Sequence, residues 1–436
     1  MKDILAKRRS NLFKAMGQGM AILFTRDHIV RSADTHFPFR GNSHFLYLTD
    51  FFESEAALVM IAGEVNSFYL FVKTNNPLTA LWDGPRDSLD DIKKKTQADD
   101  VFDIKDIEEK VLELSEVQKT IYVDYDSDLK GQSLANKLIS QPSNRKKNKS
   151  IQNLSNLATL VSELRVIKDK LCQQRLQTAI DYSKEAHIEA MKTIKPGMNE
   201  VEIQALVEYI FQRHGGRFAY ITIAAGGKNA CVLHYTKNNE ILKDGDLFLL
   251  DAGMEYKGYA GDITRTYPIN GLFNEAQKTI YTIVLNAQLE AITHCLAGKP
   301  YADYHEAARK VLAQGLINCG ILEGDLDEVI TSPRFLKYYP HGTGHYLGLD
   351  VHDTGKYYDE DKSSRTLVSG MVLTVEPGLY FPANDEELPQ EYRGIGIRIE
   401  DNILITDKEP IVLSADIPKT IEDIESIMKT ASSIFK

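Results

Sequence analysis

The sequence predicts an α/β protein in which a mixed α/β domain precedes a second, α+β domain made of two similar halves. Hydrophobic runs of strand length alternate with amphipathic segments through the first 168 residues, which is typical of a sheet covered by helices. Beyond residue 169 the order helix, helix and strands occurs twice. A length of 436 residues suffices for two or three domains, so we assign residues 1–168 and 169–436 to two domains.

The first domain is predicted to begin with a helix from Ile4 to Met16, which leads into the apolar run MAILFT. Three further apolar runs, AALVMIAG, SFYLFV and TIYVDY, predict buried strands, whereas LDDIKKK and DIEEKVLEL predict helices. Residues 141–150, QPSNRKKNKS, are polar and basic. They predict a solvated loop near the domain boundary, with a localisation signal or an anion-binding patch as the alternative.

The second domain is predicted to contain the same succession of elements twice. In the first half, helices over about 171–192 and 199–213 precede the strand patterns FAYITIAA, DLFLLDAGMEY and GDITRTYPI. In the second half, helices over about 273–296 and 303–318 precede GMVLTVEPGLYF and GIGIRIEDNILIT. This order indicates a duplicated half rather than a solenoid of short repeats.

Four acidic residues lie within or directly beside the apolar strand patterns of the second domain. Asp251 closes the run LFLL and Asp262 opens ITRT eleven residues later, while Glu376 follows VLTV and Glu400 follows GIRI. An ionised carboxylate in a hydrophobic strand is costly to bury without a cation or several hydrogen bonds. A single acid at a strand end is usually a cap or turn residue, but four at matching points of two halves favour a metal centre.

Histidines between the two acid pairs extend the candidate site. The segment HGTGHYLGLDVHD contains His341, His345 and His352, and His234 follows the glycine-rich AAGGKN, which makes it a further site candidate. One imidazole with four carboxylates is a ligand set that favours Mn, Co or Zn, with Mg possible. Four negative charges match two divalent ions. Two such ions about 3.5–4 Å apart can hold a bridging water as hydroxide and polarise a carbonyl group, which indicates a hydrolase.

Charge and composition exclude several classes of function. The formal net charge of −11 argues against a nucleic-acid binder or a basic membrane-surface protein, because both need a cationic surface. No apolar run approaches the roughly 18 residues of a membrane helix, and MKDILAKRRS lacks the apolar core of a signal peptide. The cysteines have no CxxC spacing, which is typical of free thiols in a reducing compartment. These observations favour a cytoplasmic enzyme.

Long segments of the second domain resemble a known family. HYTKNN, LLDAGMEYKGYAGDITRTYP, HGTGHYLGLDVHD, TVEPGLY and YRGIGIRIED are similar to the bacterial Xaa-Pro aminopeptidases (aminopeptidase P) of the pita-bread metallopeptidase family. RSADTHFPFRGNSHFLYLTDF resembles the N-terminal domain of the same family. The resemblance implies a creatinase-like N-terminal α/β domain, which serves oligomerisation and substrate access. It also implies a pita-bread catalytic domain with two pseudo-symmetric halves of helices and strands.

The resemblance also implies the ligands of a dinuclear site, usually described with manganese. In this set Asp262 and Glu400 bridge the two ions, Asp251 completes one position, and His345 with Glu376 completes the other. Cobalt or zinc is the alternative metal. The expected activity is removal of the N-terminal residue from peptides with proline second, by attack of a metal-bridging hydroxide on the bond before proline.

Further residues receive roles from the same resemblance. His234, His341 and His352 match additional active-site histidines, and His352 is expected to help polarise the scissile carbonyl. The remaining expected roles are proton transfer by Glu376 and proline contacts by Arg398 and Tyr380. Trp82 matches an N-domain tryptophan that reaches a neighbouring active site in tetrameric members, and a homodimer or homotetramer is expected.

Two alternatives to this activity stay open at the level of the sequence. A prolidase restricted to Xaa-Pro dipeptides shares the fold and all five ligands. A non-catalytic pita-bread protein that binds peptides shares the fold but usually loses ligands, so the complete set counts against it. Methionine aminopeptidases typically lack a matching N-terminal domain, and creatine-type hydrolases share the fold without the metals. Peptides are the expected partners, with no role for nucleic acid or a membrane.

Overall fold

The computed structural model describes residues 1–140 and 151–434 of the chain. Two compact units are present, Met1–Arg165 and Val166–Lys436. The basic segment 141–150, which the sequence predicts as a loop, lies outside the described residues.

The first unit is an α/β structure built on one main sheet. Its strands are β1 (Gly19–Phe24), β2 (Val30–Ser32), β3 (Thr35–His36), β4 (Ala56–Ala62), β5 (Ser67–Val72), β6 (Asp100–Asp103), β7 (Thr120–Val123) and β8 (Asn153–Asn156). Its helices are α1 (Lys2–Met16), α2 (Ser43–Thr49), α3 (Pro77–Asp83), α4 (Leu89–Thr96), α5 (Ile107–Ser115), α6 (Leu129–Ser140) and α7 (Leu157–Val166). Every strand and helix predicted for this part is present within a few residues.

The main sheet of the first unit is mixed, with the strand order β6–β5–β4–β1–β7–β8. β1 pairs antiparallel with β4 and parallel with β7, so it lies in the middle of the sheet. Residues 19–23 of β1 are all buried, because both faces of a central strand in such a sheet are covered. Met20 and Ile22 pack with Val59, Phe71 and Ile121 in the core of this unit.

The second unit contains the two halves that the sequence predicts. The first half comprises α8 (Lys170–Thr193), α9 (Glu200–Arg213), β9 (Arg217–Phe218), β10 (Ile223–Gly226), β11 (Leu247–Asp251), β12 (Met254–Tyr256), β13 (Tyr259–Ala260) and β14 (Thr264–Pro268). The second half comprises α10 (Glu275–Thr293), α11 (Ala302–Asn318), α12 (Leu326–Val329), α13 (Pro333–Tyr338), β15 (Val372–Val375), β16 (Gly378–Tyr380), β17 (Gly396–Arg398), β18 (Asp401–Leu404), β19 (Ile411–Val412) and α14 (Ile421–Ile427).

Side-chain caps explain where two long helices of this unit begin. Asn199 and Glu202 form a reciprocal capping box at the start of α9, and Asn274 and Gln277 form one at the start of α10. Each box satisfies backbone N–H groups that the first turn of a helix otherwise leaves without a partner. The observed starts therefore lie within two residues of the predicted ones.

The long strand patterns of the second unit are interrupted at or beside the acidic residues. The strands form four small sheets, ordered β10–β11–β14, β9–β12–β13, β15–β18–β19 and β16–β17. The strand patterns GMVLTVEPGLYF and GIGIRIEDNILIT each contain two strands rather than one: Glu376 lies between β15 and β16, and Glu400 lies between β17 and β18. FAYITIAA is likewise divided, because residues 219–222 separate β9 from β10.

Close backbone packing brings the acid-bearing segments together. A Cβ atom on Gly253 would lie only 1.8 Å from the carbonyl oxygen of Gly261, so the segment that follows Asp251 can approach the segment that precedes Asp262 only because Gly253 lacks a side chain. The two halves meet where the Glu400 N–H donates to the Thr264 carbonyl at 3.1 Å. These contacts place acids from both halves in one region of the fold.

The larger hydrophobic core lies in the second unit and joins side chains from both halves. Phe211, Phe248, Tyr281, Leu312 and Ile403 are among its fully buried members. Among the helices of residues 1–140 and 151–434, none combines the length and the apolar character that a bilayer crossing requires.

Candidate metal centre

A cavity of about 630 Å3 in the second unit gathers the residues that the sequence singles out. Its lining contains the five expected metal ligands and four further candidates: Asp251, Asp262, His345, Glu376, Glu400, His234, His341, His352 and Arg398. Tyr380 is buried and reaches this wall through hydrogen bonds to His341 and Arg398. Residues more than 150 positions apart in the sequence thus share one cavity.

Asp262, His345 and Glu400 form a cluster of potential ligand atoms within the described part of the chain. One ligand atom from each of the three residues lies within 4.8 Å of the other two. The Nε2 atom of His345 is 3.3 Å from Oδ2 of Asp262 and 3.4 Å from Oε1 of Glu376. The Nδ1 atom of His345 lies 3.0 Å from the Tyr346 carbonyl, so its N–H is oriented there and Nε2 faces the carboxylates.

Two threonine hydroxyls orient carboxylates of the cluster. Thr264 Oγ1 donates to Oε2 of Glu400 at 2.7 Å, and Thr374 Oγ1 donates to Oε1 of Glu376 at 3.1 Å. Thr374 Oγ1 also accepts a hydrogen bond from the His345 N–H at 3.0 Å. One threonine comes from each half, so each half supplies a donor that fixes a glutamate oxygen.

The carboxylates of the cavity repel one another, because several lie close together and away from water. Burial raises the pKa of Glu376 to about 7, with repulsion from Asp262 acting in the same direction against the attraction of His345. Burial and the neighbouring carboxylates raise the pKa of Glu400 well above its usual range, and burial also raises the pKa of Asp251. A cation in this cavity would relieve the repulsion that these shifts express.

The pKa of His345 is also raised, but for a different reason. Burial acts to lower its pKa, but the hydrogen bond to Asp262 and the charges of Asp262 and Glu376 outweigh burial and raise the pKa to about 9. In this structure the imidazolium therefore compensates part of the negative charge. The donor set of carboxylate oxygens and one imidazole fits divalent Mn, Co or Zn, since these ions prefer such ligands.

The other wall of the cavity is a chain of hydrogen bonds that ends at Asp251. Arg398 donates to Oδ2 of Asp251 at 2.6 Å and to the Tyr380 hydroxyl at 3.0 Å. The Tyr380 hydroxyl lies 2.8 Å from Nε2 of His341. Burial, with a further contribution from Arg398, lowers the pKa of His341 to about 4, so this imidazole is neutral at physiological pH.

His352 and His234 occupy the more open part of the cavity. His352 is an exposed residue, and the centroid of its ring lies 4.2 Å from that of His345. Partial loss of solvent and the positive charge of His345 lower the pKa of His352, which favours a neutral imidazole. His234 is exposed and lines the cavity. Trp82 belongs to α3 of the first unit, where it is 85% exposed.

Sequence reasoning missed three residues that contact the candidate ligands. Tyr220 lines the cavity and donates to Oδ1 of Asp251 at 2.6 Å, yet nothing distinguishes it from any other tyrosine in a strand pattern. Thr264 and Thr374 carried a usable signal, because each lies two positions from an acid and period-two alternation places such residues on one face of a strand.

Comparison with known proteins shows similarity over nearly the whole chain. Residues 5–122 match the family described as aminopeptidase P, N-terminal domain, and residues 174–407 match metallopeptidase family M24. An Xaa-Pro aminopeptidase of Haemophilus influenzae is 39% identical over 433 residues, which cover 98% of this chain and 97% of the relative.

Solved structures show the same similarity. Pseudomonas aeruginosa aminopeptidase PepP superposes with a TM-score of 0.95 at 36% identity, and 98% of each chain is covered. Zinc-substituted aminopeptidase P of Escherichia coli, in complex with product, superposes with a TM-score of 0.94 at 37% identity, again over 98% of each chain.

Proposed function

The chain belongs to metallopeptidase family M24, and from that membership and the geometry of the cavity we propose that it is an Xaa-Pro aminopeptidase. It removes the N-terminal residue from peptides that have proline in second position. The observation that carries this function is the convergence of Asp262, His345 and Glu400 in a cavity whose opposite wall is the chain of His341, Tyr380 and Arg398.

The metal is proposed as a pair of divalent ions, most simply Mn, held by the five residues of the cavity: Asp251, Asp262, His345, Glu376 and Glu400. The raised pKa values of Asp251, Glu376 and Glu400 support this proposal, because they report repulsion among carboxylates that bound cations would offset. The zinc-substituted relative supports zinc as an alternative. When bound, such ions polarise the scissile carbonyl and activate water for hydrolysis.

Glu376 is assigned the proton transfer that hydrolysis requires. Thr374 and His345 both contact Oε1 of Glu376, so Oε2 is the oxygen that we assign to the transfer. This oxygen accepts a proton from the attacking water and delivers it to the proline nitrogen as the bond breaks. His352 and His234, on the open side of the cavity, orient the substrate carbonyl; the neutral imidazole of His352 can donate a hydrogen bond to its oxygen.

His341, Tyr380 and Arg398 are assigned to the proline side of the substrate. The proline nitrogen belongs to the ring and carries no hydrogen in an Xaa-Pro bond, so a site for this bond cannot use an N–H there for recognition and must bind the ring by shape. The hydrogen bonds among these three side chains hold a wall of fixed outline, and Arg398 is anchored by Asp251.

The charge of the cavity favours longer peptides over the dipeptides of a prolidase. Among the cavity-lining residues, all of which lie in the described part of the chain, Arg398 is the one lysine or arginine, and it forms an ion pair with Asp251 at 2.6 Å. A free Xaa-Pro dipeptide places its carboxylate directly after the proline, where a cation would have to bind it. A longer peptide has a neutral amide at that point.

Product analysis on matched peptides tests this function. The purified protein is incubated with an Xaa-Pro dipeptide, an Xaa-Pro-Yaa-Zaa tetrapeptide and the corresponding Xaa-Ala-Yaa-Zaa peptide, each with and without Mn. We expect release of Xaa from the tetrapeptide with proline and stimulation by Mn. Cleavage of the dipeptide alone would identify a prolidase, and absence of both turnover and tightly held metal would identify a peptide-binding protein.

The compartment and the assembly are also proposals. The four cysteines are free, which agrees with the cytoplasm as the compartment. A homodimer or homotetramer is proposed, with the exposed Trp82 contributing to a neighbouring subunit's site. Light scattering of the wild type and of Trp82→Ala measures both the assembly and the dependence on this residue.

A further inference from the structure

Glu200 is a fully buried carboxylate that does not line the cavity. It is the first residue of α9, and its side chain accepts four hydrogen bonds from uncharged donors. Burying a carboxylate is costly unless hydrogen bonds replace those of water, so the four donors and Glu200 are held together.

The four donors of Glu200 all belong to the segment 226–240. Oε1 accepts from the Gly226 N–H at 2.7 Å and from Nδ2 of Asn229 at 2.9 Å. Oε2 accepts from the Tyr235 hydroxyl at 2.8 Å and from the Glu240 N–H at 2.9 Å. One side chain therefore connects the start, the middle and the end of this segment.

The segment has a second anchor on the same helix. Asn238, buried and with a φ of 47°, accepts from the Ala224 N–H at 3.1 Å. Its Nδ2 donates to the Thr222 carbonyl at 2.7 Å and to Oε1 of Gln204, one turn after Glu200, at 2.9 Å. The segment is thus attached both to α9 and to the strand region beside it.

The segment carries His234, whose side chain is exposed and lines the cavity. The next residue, Tyr235, is buried in a small cluster with Ile223, Leu249 and Tyr380 and donates to Glu200. Most of the segment lacks regular secondary structure, and such loops are mobile unless side chains fix them. Tyr235, the residue next to His234, is therefore fixed by the hydrogen bond from its hydroxyl to Glu200.

We propose that Glu200 is a positioning residue for the hydrolysis, acting through the segment 226–240 to hold His234 at the cavity. The inference rests on the proposed function, in which His234 orients the substrate. Glu200 itself is absent from the lining of the cavity that contains the ligand cluster.

A double-mutant cycle tests the proposal. Glu200→Gln replaces one carboxylate oxygen by an amide N–H2, which cannot accept from the donors it faces. We expect kcat on a peptide with proline second to fall by about 10- to 100-fold, because a small misplacement of a catalytic group has effects of that size. In the His234→Ala background the same substitution should lower kcat by less than about threefold, since the residue through which it acts is absent.

Two further variants separate positioning from a general loss of stability. Tyr235→Phe removes one of the four donors and should give an intermediate loss of kcat. Ile210→Ala, in the same helix but in the large core, should lower Tm and leave kcat nearly unchanged. Metal content should equal that of the wild type in every variant.

The possible failures are distinguishable. Equal losses of kcat from Glu200→Gln with and without His234 would overturn the positioning role while the assigned role of His234 stands. Full activity of His234→Ala would overturn both the inference and that assigned role. Wild-type kcat in Glu200→Gln would overturn the inference alone.

Discussion

Glu376 combines two properties in one side chain, because it lies among the expected metal ligands and is oriented for proton transfer. Its Oε1 is held by Thr374 and lies 3.4 Å from His345, so removing the second oxygen leaves the local hydrogen bonds in place. The consequences for activity and for folding can therefore be separated in a single substitution.

Glu376→Gln should abolish turnover and leave the fold intact. The amide keeps the shape and the acceptor for Thr374 but cannot take a proton, and loss of a general base lowers kcat by about 100- to 10,000-fold. Steady-state kinetics, Tm and metal content are measured together. Glu360→Gln, at an exposed glutamate, is the control and should match the wild type. Retained turnover in Glu376→Gln would refute the assigned role.

Tyr220 contacts Asp251, and the sequence contains no sign of this contact. A substitution of Tyr220 tests whether the contact supports metal binding. Tyr220→Phe removes the 2.6 Å hydrogen bond that orients Asp251. Loss of such an outer contact weakens metal binding by about 10- to 100-fold. Titration of the metal-free protein with Mn measures the effect. Tyr209→Phe, at a 53% exposed position of α9, should bind Mn like the wild type; equal affinities of all three proteins would contradict the role.

The candidate ligands can be identified from the sequence, whereas Tyr220 cannot. An acid in an apolar strand has a physical cost that demands an explanation, so Asp251, Asp262, Glu376 and Glu400 were conspicuous. A tyrosine in an apolar strand pattern has no such cost. Its importance arises from the hydroxyl position, which only the folded chain fixes.

At the scale of elements, β14 and β18 join the two halves of the second unit through a buried ion pair. Arg265 in β14 is fully buried and donates to Asp401 in β18 at 2.7 Å and to the Glu400 carbonyl at 2.6 Å. Burial raises the pKa of Asp401, but Arg265 and Lys419 outweigh burial and hold it well below the usual range. The pair thus stabilises the joint directly beside a candidate metal ligand.

Arg265→Met should destabilise the protein by about 3–5 kcal/mol, since removing one partner leaves the buried charge of Asp401 poorly compensated. Adding Asp401→Asn should restore part of the loss, because the remaining charge is then removed as well. Urea unfolding followed by circular dichroism measures the free energy of unfolding. Lys278→Met, in an exposed pair with Glu275, should change it by less than about 0.5 kcal/mol. A loss for Arg265→Met as small as that control would contradict this account of the joint.

Helices were predicted more accurately than strands for a physical reason. Caps such as Asn199 and Asn274 are local, so the helix starts can be located from neighbouring residues alone. The strand breaks at Glu376 and Glu400 depend on distant parts of the chain, because each break places an acid among candidate metal ligands from other segments. Hydrophobic pattern continues through the break and therefore conceals it.

At the scale of the whole molecule, the net charge of −11 includes four carboxylates that the proposed metals would neutralise. Without metal, bound protons compensate part of the negative charge of the cavity, as the raised pKa values of His345 and Glu376 indicate. The stability of the metal-free protein should therefore depend on pH in a range where the metal-loaded protein does not.

The sign of this dependence follows from His345, whose pKa rises from 6.5 to about 9 on folding. The folded state then binds more protons than the unfolded state between these values, so its stabilising contribution is present below pH 6.5 and is lost as pH rises to 9. Glu376, with a pKa raised to about 7, acts in the same direction at lower pH. His341 opposes it, but only below pH 6.5, because its pKa is lowered to about 4.

We therefore expect the Tm of the metal-free protein to fall between pH 7 and pH 9. Addition of Mn should remove most of this fall, because the bound ions replace the proton as the compensating charge, and binding at pH 7 should release protons. Scanning calorimetry with and without a chelator measures the first effect, and titration calorimetry in buffers of different ionisation enthalpy measures the second. His345→Gln, which has no titrating group at this position, should weaken the dependence, and the raised carboxylates Glu376 and Glu400 account for the part that is left. A metal-free Tm that is constant or rises over this range would show that His345 does not carry the compensating charge.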